Sequence, residues 1–128
     1  FGSDVGKAGS RTEGIWDTGT FDYELLTGLD LSISKKDGLD YWHSAMGHAM
    51  VLTGVNLDEN GAPTRWKIEN SWGDANGDKG YYVCSDAWFD LYVYQAVVNR
   101  SILGEKAELL EQKPITLKPW DPMGSLAD

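Results

Sequence analysis

Three neighbouring stretches decide the fold: GHAMVLTGV at residues 47–55, DENGAP at residues 58–63 and TRWKIENSWG at residues 64–73. The first stretch is apolar and rich in strand-forming residues. The third alternates between polar and apolar side chains at its start, as a strand with one buried face does. The pair Asn60-Gly61 favours the positive φ of a tight turn. Together the three stretches predict a β-hairpin.

Further elements are predicted on both sides of this hairpin. Residues 1–34 are scattered with Gly and Ser and show no strong period, so they are predicted to be loop-rich. Three of the four prolines fall in residues 113–128, so this tail is predicted to be extended and irregular. The predicted helices are residues 35–46, 85–89 and 105–112, and the predicted strands are residues 49–55, 64–69, 80–84 and 92–98. This order predicts an α+β fold with an antiparallel sheet.

The composition argues against several classes of protein. The chain has 128 residues, of which 41% are hydrophobic, and this is enough apolar material for a packed core. A net charge of −9 repels phosphate backbones, so no nucleic-acid partner is expected. No apolar run approaches the roughly 20 residues that cross a bilayer, so no membrane partner is expected. The chain begins at Phe1 in a polar stretch that lacks the apolar centre of a signal peptide, and we interpret it as part of a longer protein.

The single cysteine and the acidic loop give little support for a disulfide or a metal site. Cys84 has no second cysteine to pair with, and its apolar, strand-like surroundings predict a buried structural thiol. The loop DANGD at residues 74–78 alternates oxygen ligands as a calcium loop does. However, Lys79 and Ser85 stand where an EF-hand needs Gly and Glu. A solvated acidic loop is therefore favoured, and no metal or other cofactor is predicted.

The two histidines differ in their surroundings. His43 falls inside the predicted helix and is interpreted as a partly exposed helical residue. His48 lies at the start of the hairpin, and Asn70 ends its second strand, 22 positions later. An Asn oxygen that accepts a hydrogen bond from an imidazole fixes the orientation and tautomer of the ring, which leaves the other ring nitrogen to face a thiol. Trp72 could shield such a bond from water, although spacing alone leaves a structural role for His48 as the commoner alternative.

The motifs GHAMVLTGV, KIENSWG and KGYY resemble the histidine and asparagine segments of papain-like cysteine proteases. Within that superfamily, DVGK, DYELLTG, SDAWFDLYVYQAVVNR and the tail KPWDPMGSLA resemble the bleomycin hydrolase and aminopeptidase C family. The resemblance covers nearly the whole chain. It implies a papain-like α+β fold, with residues 1–112 as the antiparallel, barrel-side half of the catalytic domain and its preceding helix. Residues 113–128 would be a C-terminal arm directed to the active-site cleft.

The resemblance also implies an activity and its site. It implies a thiol aminopeptidase that removes N-terminal residues from peptides, with His48 and Asn70 as catalytic residues and Trp72 shielding them. In the family the nucleophilic cysteine lies upstream, so the upstream half of the same protein is an expected partner. The arm's terminal carboxylate would anchor the substrate amine. This chain ends at Asp128, one residue beyond the family's usual end, and Asp128 adds a second carboxylate. The resemblance further implies a cytoplasmic homohexamer for the parent protein.

Two other interpretations stay open. Taken by itself, the chain is interpreted as a catalytically silent structural or binding fragment, because half of a nucleophile–base set gives little rate enhancement. A small enzyme that depends on Cys84 is the third interpretation. It is the least favoured, because the family places its nucleophile at the start of a helix and ahead of the histidine in the chain.

Overall fold

The computed structural model describes residues 1–126, with side chains through residue 124. In chain order, the strands are β1 Gly2–Ser3, β2 Gly9–Ser10, β3 Ile15–Trp16, β4 His48–Ala49, β5 Val51–Leu57, β6 Pro63–Glu69, β7 Tyr81–Ser85 and β8 Val93–Gln95. The α-helices are α1 Tyr23–Thr27, α2 Lys35–Asp40 and α3 Asp86–Tyr92. Three 3-10 helices follow at Arg100–Ile102, Gly104–Glu111 and Pro122–Leu126.

The predicted hairpin lies at one end of the larger sheet, whose strand order is β2-β3-β7-β6-β5. β5 and β6 pair antiparallel across residues 51–69. In the turn, the Asp58 carboxylate accepts hydrogen bonds from the backbone N–H groups of Asn60 and Ala62, each at 2.8 Å. Gly61 adopts a φ of +82°, a conformation that costs glycine little. The hairpin prediction is therefore confirmed.

One pairing in this sheet differs from the prediction. β3 and β7 run parallel, with Trp16 opposite Cys84, whereas an antiparallel sheet was predicted. β3 belongs to the first 34 residues, which carry no strand signal because each strand there has only two residues. It reaches β7 through a long connection, and only such a connection allows parallel pairing.

A smaller antiparallel sheet, in the order β4-β1-β8, holds the start of the hairpin. Ser3 lies opposite His48 in the β1–β4 pair. Backbone hydrogen bonds from Gly47 to Ser3 and from Met50 to Phe1, at 3.1 and 3.0 Å, flank His48 on both sides. The backbone at His48 is therefore fixed by the first strand of the chain.

The helix predicted at residues 35–46 ends earlier, at Asp40. It begins as expected, because the Ser34 hydroxyl accepts a hydrogen bond from the backbone of Asp37. Beyond its end Trp42 takes a φ of +56°, which breaks the helical path, and the Ser44 N–H returns to the carbonyl of Gly38. The continuation of the helix to residue 46 is therefore wrong.

Differences in the second half of the chain follow from packing. α3 is capped by Ser85 as predicted, but it continues to residue 92 because its buried Trp88 and Tyr92 face the core. The predicted strand at residues 92–98 is correspondingly reduced to β8. The helix predicted at residues 105–112 forms as the 3-10 helix Gly104–Glu111, which buries no residue. A segment without a buried face gains little from an α-helical arrangement.

The core is built on stacked aromatic rings. The Trp16 ring lies 4.7 Å from the Tyr82 ring and 5.5 Å from the Trp88 ring, between centroids. The indole N–H of Trp16 donates to the carbonyl of Val5, and that of Trp88 donates to the carbonyl of Lys7, at 3.1 and 2.9 Å. These bonds satisfy buried donors and attach the start of the chain to the core.

The structure also bears on membranes and metals. Among the helices described here, none is long and apolar enough to cross a membrane. Through residue 124, no three His, Cys, Asp or Glu side chains come together in a group that could hold a metal ion.

Candidate functional site

The hairpin brings His48 and Asn70 into direct contact. Nε2 of His48 lies 2.8 Å from Oδ1 of Asn70, and both side chains are half-buried. His48 begins β4, and Asn70 directly follows β6. Since Val51 at the start of β5 pairs with Glu69 at the end of β6, His48 and Asn70 both lie at the open end of the hairpin. The predicted adjacency of this pair is confirmed.

The backbone settles the orientation of the Asn70 amide. The N–H of Ser71 donates to Oδ1 of Asn70 at 2.8 Å, and a backbone N–H can only donate. The atom that faces both Ser71 and His48 is therefore the oxygen, so Nε2 of His48 carries the proton. In the neutral imidazole, Nδ1 is then the nitrogen with a free lone pair. A base with this tautomer can accept a proton from a group placed beside Nδ1.

Trp72 stacks on the imidazole. The two ring centroids are 4.7 Å apart and the planes differ by 25°. The edges of the half-buried indole contact Trp16 and Tyr82, with centroid distances of 6.4 and 6.0 Å. Trp72 therefore connects the His48–Asn70 pair to the aromatic core, and it occupies the position where it can restrict water around the pair.

A hydrogen-bonded group of three residues holds the segment that leads into His48. The Tyr94 hydroxyl donates to Ser44 Oγ, and the Ser44 hydroxyl donates to Asp4 Oδ2 at 2.8 Å. The same carboxylate oxygen accepts from the N–H of Ala45 at 3.3 Å. The Tyr94 hydroxyl is protonated at neutral pH as any tyrosine is, and burial, the main cause, raises its pKa further. Sequence reasoning missed these residues, because the partners lie 40 and 50 positions apart.

Arg11 was also missed at the sequence level. Its guanidinium carbon lies 4.3 Å from the centroid of the Trp72 ring. Nothing in the local sequence signals this contact, because Arg11 lies in a Gly- and Ser-rich turn between β2 and β3. Only the folded sheet places that turn beside Trp72.

Cys84 lies away from this pair. It is fully buried on β7, opposite Trp66, which precedes Asn70 by four residues along β6. Desolvation by burial raises the pKa of the thiol to about 12, with the charge of Asp86 adding to the shift. A thiol with this pKa is almost entirely protonated at neutral pH and is a poor nucleophile. The prediction that Cys84 is a buried thiol is confirmed.

The remaining candidates from the sequence are His43 and the arm. His43 is exposed and lines a groove of about 910 Å³ beside Phe21 and Tyr23. The last described part of the arm, the 3-10 helix Pro122–Leu126, lies against α2. Asp128 lies outside the described residues, so its expected role as an amine anchor stays a prediction.

The comparisons with known proteins agree on one family. The model of the Peptidase C1-like family matches residues 1–124. Aminopeptidase C of Streptococcus thermophilus is 52% identical over 99% of this chain and 29% of its own length. Human bleomycin hydrolase is 45% identical over 100% of this chain, which again spans 29% of the relative.

A solved structure agrees with the fold. The crystal structure of PepW from Lactobacillus rhamnosis HN001 matches with a TM-score of 0.85 and 49% identity. The match covers 97% of this chain and 28% of that one. The present chain therefore spans less than a third of the length of the relatives it matches, and the predicted α+β papain-like class is confirmed.

Proposed function

The chain belongs to the Peptidase C1-like family, and on this premise we propose that it supplies the histidine and asparagine of a cysteine-type aminopeptidase. The observation that carries the proposal is the hydrogen bond from Nε2 of His48 to Oδ1 of Asn70. In this proposal Nδ1 of His48 faces a cysteine thiol contributed by the upstream half of the same protein. Trp72 shields the pair, and no metal or other cofactor takes part.

The proposed chemistry uses the tautomer described above. Nδ1 accepts the thiol proton, and the resulting imidazolium stabilises the thiolate, whose pKa such a pairing can lower to roughly 3–4. The thiolate attacks the carbonyl carbon of the scissile peptide bond, and His48 returns the proton to the leaving amine. Asn70 holds the ring in place throughout, because its oxygen accepts a hydrogen bond from the Nε2–H group in both charge states of the imidazole.

Restriction to free N-termini is the finer part of the proposal. We assign it to the arm of residues 113–128, whose end would occupy the cleft and present carboxylate charge to the substrate amine. The position of Pro122–Leu126 against α2 supports this, since the arm returns to the body of the domain. The parent protein is proposed to be a cytoplasmic homohexamer.

The same observations support a catalytically silent role for these 128 residues taken alone. The sequence contains one cysteine, and its thiol is buried with a pKa of about 12. We propose that the chain is inactive without the upstream half.

The experiment that tests the proposed activity compares the two histidines in the full-length enzyme. His48→Ala is expected to abolish hydrolysis of an aminoacyl fluorogenic amide, because the base and proton donor are lost. His43→Ala is the matched control, since His43 is exposed, and it should keep near-normal turnover. Equal turnover of the His48→Ala variant and the unmodified enzyme would remove the basis of the proposal.

A further inference from the structure

Trp72 has a cationic neighbour that the proposed mechanism does not use. The Arg11 guanidinium lies over the Trp72 ring at 4.3 Å, and the same ring stacks on His48 at 4.7 Å. Through residue 124, no carboxylate lies within salt-bridge distance of Arg11. Its charge is therefore directed to the indole face, where a cation is attracted by the ring's electrons.

The turn that carries Arg11 is attached to the loop that follows Trp72. Within the turn, the Gly14 N–H donates to the carbonyl of Ser10 at 2.9 Å. Between turn and loop, the Gly77 N–H donates to the carbonyl of Thr12 at 3.0 Å. Gly14 has a φ of +70°, and a Cβ on it would lie 2.5 Å from the Cα of Gly77, so the two backbones are in close contact. Arg11 and Trp72 are thus carried by segments that are held together.

We propose that Arg11 is a positioning residue of the active site, acting on His48 through Trp72. The cation–π contact holds the indole ring flat over the imidazole, and the ring in turn limits the motion and hydration of the His48–Asn70 pair. The inference rests on the proposed function, because it concerns the same pair. Arg11 itself does not act on the substrate, so its effect falls on turnover rather than on substrate binding.

The test replaces Arg11 in the full-length enzyme and compares it with a second exposed arginine. Arg11→Ala is expected to lower kcat about two- to fivefold with KM unchanged, the range for an exposed cation–π contact. Arg11→Lys should recover part of the loss, because it keeps a cation near the ring. Arg65→Ala is the matched control, since Arg65 is exposed on β6, five residues before Asn70. It is expected to keep kcat.

A double-mutant cycle with Trp72→Ala distinguishes positioning from a general effect on stability. If Arg11 acts through the indole, removing Arg11 in the Trp72→Ala background should not lower kcat further. A full additive loss in that background, or an Arg11→Ala enzyme with unchanged kcat, would overturn the inference. His48→Ala is assayed in parallel. An inactive His48→Ala enzyme together with an unaffected Arg11→Ala enzyme refutes the role of Arg11 alone, whereas an active His48→Ala enzyme refutes the proposed function.

Discussion

Replacing Asn70 by alanine in the full-length enzyme tests the hydrogen bond on which the proposed function rests. The bond joins Nε2 of His48 to Oδ1 of Asn70 at 2.8 Å, and in the proposed reaction the imidazole becomes charged. A hydrogen bond to a charged group contributes about 1.5–3 kcal/mol. If that stabilisation is present in the transition state and lost in the variant, kcat/KM should fall about 10- to 150-fold, at about 1.36 kcal/mol for each factor of ten.

The assay measures kcat/KM for an aminoacyl fluorogenic amide, with thermal unfolding of each variant followed in parallel. Asn70→Asp keeps an acceptor oxygen for both His48 and the Ser71 N–H, so it is expected to lose less activity than Asn70→Ala. Asn56→Ala is the matched control, because Asn56 donates to Thr64 Oγ1 at 2.7 Å on the exposed part of the same hairpin. If Asn70→Ala stays within twofold of the unmodified enzyme, the proposal that Asn70 orients His48 is refuted.

Three further predictions concern other parts of the chain. Trp72→Ala in the full-length enzyme should lower kcat about two- to tenfold, the range for one aromatic stacking contact, and unchanged kcat at saturating substrate would contradict the shielding role. Cys84→Ala should keep turnover. Burial raises the Cys84 pKa from 9.0 to about 12. Between these two pH values the thiol is protonated in the folded protein but ionised in the unfolded chain. The free energy of unfolding should therefore fall as the pH rises from 9 towards 12. Denaturant titrations at several pH values should show that the free energy of unfolding falls less with rising pH in Cys84→Ala than in the unmodified protein. An equal fall in both proteins would be evidence against the raised pKa of Cys84. Deleting residues 123–128 should reduce cleavage of free-amine substrates and open the cleft to N-blocked peptides, and a deleted enzyme that keeps its preference for free amines would exclude the arm as the specificity element.

The hairpin could be predicted because its signals are local. A tight turn with an Asn-Gly pair sets the register of two strands, and the register then places the residues at their open end side by side. Asp58 adds the hydrogen bonds that complete this turn. The separation of 22 residues makes the contact of His48 with Asn70 possible, but the resemblance of both segments to papain-like cysteine proteases is what singled out this pair as a site.

The end of α2 shows where local signals fail. Apolar residues at positions 39, 42 and 46 fit a helical face, and this spacing predicted a helix through residue 46. In the structure only Leu39 of these is buried in a helix, and Trp42 is 65% exposed with a φ of +56°. A left-handed residue is unfavourable for tryptophan, so tertiary contacts must compensate for it. The bonds of Ser44 to Gly38, Asp4 and Tyr94 provide such contacts.

The first 34 residues carry the largest part of what sequence reasoning missed, and the cause is the length of their elements. A strand of two residues is too short to show repeated alternation, so β1, β2 and β3 give no signal in a pattern analysis. They form by pairing with other strands of the fold, β1 with β4 and β8, β2 with β3, and β3 with β7. Yet this segment supplies Ser3 opposite His48, Asp4 to the loop before His48, and both Arg11 and Trp16 to the Trp72 ring. The segment with the weakest sequence signal therefore supports the site from several directions. We therefore expect exposed substitutions in this segment, such as Arg11→Ala, to alter turnover without disturbing the hairpin that carries His48 and Asn70.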